Sequence, residues 1–181
     1  MVFKYKKKVN FQPNFYKYLE LIKMKFSFIF FFILLISCSN SDIKSVDELW
    51  KSGIDNRAKN DLRLSITSFR SIVQNYPKSD ISPKAQFQIA DIYLNDVKDY
   101  TFAIDEFEFL IKTYPGAELA KKSAFMVAYI YSNYLEEFSL AIVKYELFLE
   151  KYPDDELIPS VEFELEGLRK HQQTIDSLNN L

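Results

Sequence analysis

Ala141-Ile142-Val143-Lys144-Tyr145-Glu146-Leu147-Phe148-Leu149-Glu150-Lys151-Tyr152-Pro153 is the third version of a phrase that the chain writes three times. The second runs from Ala103-Ile104 through Phe107 to Tyr114-Pro115, and the first from Ser65-Ile66 through Phe69 to Tyr76-Pro77. Successive versions stand 38 residues apart both times. Upstream positions repeat as well: Phe87, Ala90 and Tyr93 match Phe125, Ala128 and Tyr131, and Tyr100 matches Phe138. Ile104, Phe107, Leu110 and Ile111 fall at helical spacing. Small residues such as Ala90 and Ala103 let two helices approach closely, and proline disfavours helical geometry in the tyrosine before it. A single unit of this kind cannot bury its apolar face, so neighbouring units must stack.

The pattern predicts helices at 46–58, 61–75, 83–95, 99–113, 118–134, 137–151 and 157–177. The last begins like another first helix, with Val161, Phe163 and Leu165, and then carries Glu166, Gly167 and Arg169 where small and aromatic residues belong. It reads as a polar-faced capping helix. The expected fold is therefore all-α: three helix pairs and a C-terminal cap across residues 46–181, after a short tether at 38–45.

These residues resemble the tetratricopeptide repeat over 46–153, which implies a solenoid with a ligand groove lined by the first helix of each pair. The usual 34-residue period is lengthened here, in the turns at 95–99 and 133–137 and in the links at 78–83 and 116–119. The first unit departs most, with Gly53 at the small position, Asn56 where tyrosine is expected, and a shorter turn at Asn60-Asp61. The phrase ending Phe148-Leu149-Glu150-Lys151-Tyr152-Pro153-Asp154-Asp155 also resembles the BamD-like envelope lipoproteins and the repeat domain of the Tol-Pal-associated coordinator. This chain has fewer repeat units than the BamD-like family usually carries.

Ahead of the repeats lies an export segment. Lys23 and Lys25 precede an apolar run from Phe26 to Ile36, then Ser37 and Cys38, the sole cysteine. A run of about 11 residues suits a signal segment and is short for a membrane span of roughly 20. Leu35-Ile36-Ser37-Cys38 resembles the bacterial lipobox. That resemblance implies cleavage before Cys38, diacylglycerol on its sulfur and an acyl chain on its new amine, with no other cofactor. Residues 24–37 then form the signal peptide. Residues 1–23, basic and aromatic, read as an upstream start or as a membrane-surface arm. A lone cysteine excludes an internal disulfide framework.

Seven of the 23 basic residues but one of the 25 acidic residues precede Cys38, so the part from Cys38 onward carries a net charge of −8. Such a domain is not suited to nucleic acid, whose binding leans on neutralising phosphate with Lys and Arg. No cysteine-histidine cluster suggests zinc. The glycines, Gly53, Gly116 and Gly167, are too scattered for a phosphate loop. Acidic clusters such as Asp154-Asp155-Glu156 stand at helix starts, where negative charge complements the helix dipole. His171 reads as a surface side chain. No catalytic or metal residues are assigned.

By register, Trp50, Ile54 and Arg57 face the groove from the first unit. Lys84, Phe87, Asp91 and Asn95 face it from the second, and Lys122, Phe125, Tyr129 and Asn133 from the third. Aromatic residues at equivalent places suit peptide anchoring, although Phe87 and Phe125 also fit packing between repeats. The expectation is a non-enzymatic adaptor, lipid-anchored at the periplasmic face of the outer membrane, binding envelope proteins such as barrel-assembly components. Alternatives are an adaptor for Tol-Pal, a secretin pilot, part of a secretion apparatus, or an accessory subunit of a cell-wall enzyme.

Overall fold

The proline of each Tyr-Pro pair drives the preceding tyrosine out of helical geometry, and the backbone repeats the result three times. In the computed structural model, which describes residues 44–179, Tyr76, Tyr114 and Tyr152 close their helices at φ/ψ of −130°/48°, −125°/55° and −132°/59°. Each tyrosine N–H donates to the carbonyl four residues back, on Ile72, Leu110 and Phe148. Each tyrosine carbonyl accepts from the amide three residues on, from Ser79, Ala117 and Asp155. Cys38 and the signal segment lie outside the described residues.

Seven α-helices and no strand are found among the described residues: α1 (Val46–Ala58), α2 (Leu62–Asn75), α3 (Ser82–Asp91), α4 (Tyr100–Thr113), α5 (Glu118–Asn133), α6 (Phe138–Lys151) and α7 (Ile158–Asn179). Each helix packs on the next in sequence, and α3 also touches α5. Ser45 starts α1 with a capping box: its side chain accepts from the Glu48 N–H at 3.2 Å, and Glu48 accepts from the Ser45 N–H at 2.8 Å.

The turn inside each pair repeats too. Asn60, Lys98 and Glu136 all adopt left-handed backbone, at φ 60°, 60° and 56°. This geometry is unfavourable for L-residues other than Gly, Asn and Asp. Glu136→Gly is therefore expected to raise stability by up to about 1 kcal/mol, measured as the shift in urea midpoint; a loss of stability would contradict it.

The second and third turns are one residue longer than the first, as Gly53 to Asn60 compares with Ala90 to Lys98 and Ala128 to Glu136. An extra residue is absorbed by hydrogen bonds that reach five residues back. In the second unit Ile92–Val97 widens into a π-helix. In the third the Leu135 N–H donates to the Ile130 carbonyl at 3.1 Å. The helix expected to run to residue 95 thus leaves α geometry after Asp91, because the turn must still close onto Lys98.

The apolar residues form three clusters, each shared by a first helix, its second helix and the following first helix. Phe69 and Ile72 centre one with Leu49 and Ile89; Phe107 centres the next with Ala90 and Val127; Tyr145 and Phe148 centre the third with Ala128 and Leu165. Phe69, Phe107 and Tyr145, spaced by the repeat, are all fully buried. Burial raises the Tyr145 phenol pKa, with Glu164 and Tyr129 adding to the shift.

Gly53 departs from the alanines at its equivalent positions for a steric reason. A Cβ there would lie 2.6 Å from the Phe69 ring. Its carbonyl also accepts from the buried Ser65 hydroxyl at 2.7 Å. Gly53→Ala is expected to destabilise by about 1–3 kcal/mol, overpacking outweighing the gain in helix propensity. Chemical denaturation checks this, and a stabilised variant would refute it.

α7 buries Val161, Leu165 and Leu168 and leaves Phe163, at the position equivalent to Phe87 and Phe125, 75% exposed. The face expected to be polar thus carries one uncovered ring. His171 is exposed and meets Phe138 edge to face at 4.8 Å. Ahead of α7, the Asp155 carboxylate accepts from the Leu157 N–H at 3.0 Å and pairs with Lys121 at 3.1 Å, with only 3% of its side chain accessible. The Leu157 amide and Lys121 hold its pKa below the ordinary value of 3.8. A depressed carboxyl stabilises the fold above its unfolded pKa and loses that contribution as pH falls through its folded pKa. Asp155→Asn, which keeps a capping oxygen, is expected to cost about 0.5–1 kcal/mol at neutral pH. The gap from wild type should close below about pH 4; a gap that persists at pH 2 would contradict the ionic origin.

Candidate partner-binding face

Two different surfaces stand where the sequence register places a groove. Between α1 and α3, the Arg57 guanidinium spreads over three acceptors. Its Nε donates to Asp96 at 2.7 Å, Nη1 to the Gln88 side-chain oxygen at 2.9 Å, and Nη2 to Asp91 at 2.7 Å. The other Asp91 oxygen accepts from Asn95 Nδ2 at 2.8 Å. The planar five-donor fork of arginine suits such a site. These side chains are about a quarter to a third accessible, Arg57 24%, Asp91 28% and Asp96 31%. The network is a fixed polar plate, open to solvent on one side.

One repeat further on, two of these positions are aromatic. Asp91 becomes Tyr129 and Asp96 becomes Tyr134. Phe125, Tyr129, Tyr134 and Tyr100 form a continuous row: Phe125 stacks on Tyr129 at 6.1 Å, Tyr129 meets Tyr134 edge-on at 6.1 Å, and Tyr134 stacks on Tyr100 at 4.6 Å. Tyr134 is 41% exposed. Asn133, exposed at the end of α5, donates to the Tyr129 carbonyl at 3.1 Å.

The three equivalent rings also do packing work inside their own units. Trp50 meets Phe69, and Phe87 meets Phe107, each at 5.3 Å and 65°. Phe125 meets Tyr145 at 5.8 Å and 57°. Lys122 sits over the outer face of Phe87, 5.2 Å from the ring centroid. Ile54 and Lys84 are exposed.

The structure thus gathers Arg57, Asp91 and Asn95 into one polar network, and Phe125 and Tyr129 into one aromatic row. It places Trp50 and Phe87 against the cores of their own units. The sequence reading omitted Gln88, Asp96, Tyr100 and Tyr134. Shifting Asp96 by one period onto Tyr134 was the available signal. The chemistry on this face is hydrogen bonding, ion pairing and ring contact. Among the described residues no group of three or more His, Cys, Asp or Glu side chains is placed to hold a metal. No described helix is long and apolar enough to cross a membrane.

No protein-family model matches the chain, and no curated protein matches it either.

Proposed function

We propose that the chain is a non-enzymatic adaptor of the bacterial envelope, a tetratricopeptide-type solenoid held by lipid on Cys38 at the periplasmic face of the outer membrane. Its groove binds an extended segment of a partner protein, in a BamD-like role in outer-membrane protein assembly. The observation that carries the reading is the paired surface on α1, α3 and α5: a polar plate around Arg57 and Asp91 next to an aromatic row through Tyr129 and Tyr134. Rings of this kind supply large contact area at low entropy cost, and flanking polar groups set register. The 38-residue recurrence of left-handed turns and tyrosine caps supports the solenoid assignment. The lipobox resemblance at Leu35–Cys38 supports the location.

A photocrosslinking amino acid at Tyr129 or Asp91, introduced in living cells, tests this. Recovery of a barrel-assembly component is the expected result. Recovery of peptidoglycan-linked, Tol-Pal, pilus or secretion components instead would replace the assembly role with service to another envelope machine. Hydrolysis of cell-wall material by the purified protein would overturn the adaptor reading.

A further inference from the structure

The first and second repeat interfaces are equivalent by register, yet one is filled and the other is open. At the first, Gln86 of α3 is fully buried. Its amide donates to the Glu106 carbonyl at 2.9 Å and to the Glu106 carboxylate at 2.6 Å, and Arg70 pairs with that carboxylate. One period on, Ala124 stands in place of Gln86, Val127 in place of Ile89, and Leu147 in place of Phe109. All three changes remove volume. They leave a cleft of about 360 Å³ between α4, α5 and α6, lined by Ala124, Val127, Leu147 and Phe148. That size falls within the range of roughly 300–1,000 Å³ typical of ligand sites.

The rim differs in charge as well. Lys112, Lys144, Lys151 and Glu108 line the second cleft, where the first interface has Gln74, Glu106, Thr113 and Arg70. Lys144 is taken up by Glu108 at 2.6 Å. Neither Lys112 nor Lys151 has a carboxylate partner among the described residues, and Lys151 lies over the Tyr152 ring, 5.3 Å from its centroid. A domain of net charge −8 thus places two uncommitted ammonium groups at the mouth of an apolar cleft. An apolar body with a single anionic end complements that arrangement in shape and in charge.

We propose that this cleft binds a single-chain aliphatic carboxylate, a free fatty acid, with its chain against Ala124, Val127 and Leu147 and its carboxylate between Lys112 and Lys151. The site lies apart from the partner-binding face and does not depend on that function.

The test is photolabelling of the full chain with a diazirine-bearing dodecanoate, with labelled peptides mapped by mass spectrometry. The label is expected on residues of the cleft, competed by unmodified dodecanoate. Each methylene removed from the competitor should weaken it about fourfold. Ala124→Gln, which rebuilds the side chain present at position 86, should cut cleft labelling at least about tenfold. Ala124→Met serves as a second filling variant, and each variant is used only if its helical circular dichroism and melting match wild type. Lys112→Glu combined with Lys151→Glu should weaken competition by dodecanoate but not by dodecanol. Undiminished labelling of a folded filling variant, or a label mapping elsewhere, would overturn the proposal. So would equal loss of dodecanoate and dodecanol competition in the lysine variant. Loss of labelling on competition with anionic phospholipid vesicles, but not with dodecanoate, would overturn it in favour of a membrane surface.

Discussion

Phe107→Ala is expected to destabilise the domain by about 3–5 kcal/mol, the usual cost of deleting a fully buried phenylalanine. Phe107 has no exposed surface and lies in the middle of the three clusters, in contact with the Phe87 ring. The space left cannot be refilled cheaply, because Ala90 and Ala103, both fully buried beside it, have no side-chain length to give. The loss compares with a total stability of about 5–15 kcal/mol for an ordinary domain. Position in the stack adds to the effect. Each unit packs only on its neighbours in such an array, so failure of the middle unit uncouples both ends. Phe69→Ala strikes only the first cluster. Urea unfolding followed by circular dichroism should show a lowered midpoint and a broadened transition for Phe107→Ala. A cost below about 1 kcal/mol would mean that the middle cluster does not hold the units together.

Cys38→Ser is expected to abolish palmitate labelling and to move the protein from the membrane to the soluble fraction. Serine keeps the size and polarity of the position but has no thiol to form the thioether to diacylglycerol. One acyl chain alone gives only marginal membrane binding, and each buried methylene adds about 0.8 kcal/mol, so the proposed three-chain anchor would give durable attachment. Without it, the apolar run from Phe26 to Ile36, about 11 residues long, is too short to span a bilayer that requires roughly 20. Continued palmitate labelling of the serine variant would remove the lipid anchor from the proposed function.

The helices were legible in the sequence because three signals coincided: the 38-residue period, the helical spacing of apolar residues and a proline at each stop. The passage from α3 into π geometry was not legible, because an extra residue in a turn can be absorbed by a looped-out residue or by a longer hydrogen-bond reach. Only the position of Lys98 relative to Ala90 shows which occurs. Gly53 read as a departure from the small-residue rule, whereas contact with Phe69 makes it the tightest instance of that rule.

The candidate site divides in the same way. Register places Arg57, Asp91 and Asn95 on one face, but nothing in their spacing specifies that one guanidinium binds Asp91, Gln88 and Asp96 together. Phe87 carried two readings, groove anchor and packing ring; the structure seats it on Phe107 with Lys122 over its outer face.

By itself the sequence determined the helical period, the stops and the equivalence of positions 38 residues apart, since these depend on short-range backbone rules and on apolar spacing along one helix. Tertiary structure alone decided how equivalent positions differ. Gln86 fills one interface while Ala124 leaves the next open, and Asp91 binds arginine where Tyr129 joins a row of rings. The physical reason is that volume and charge act between helices. The effect of a side chain depends on what the facing helix presents, and no spacing along one strand of sequence records that.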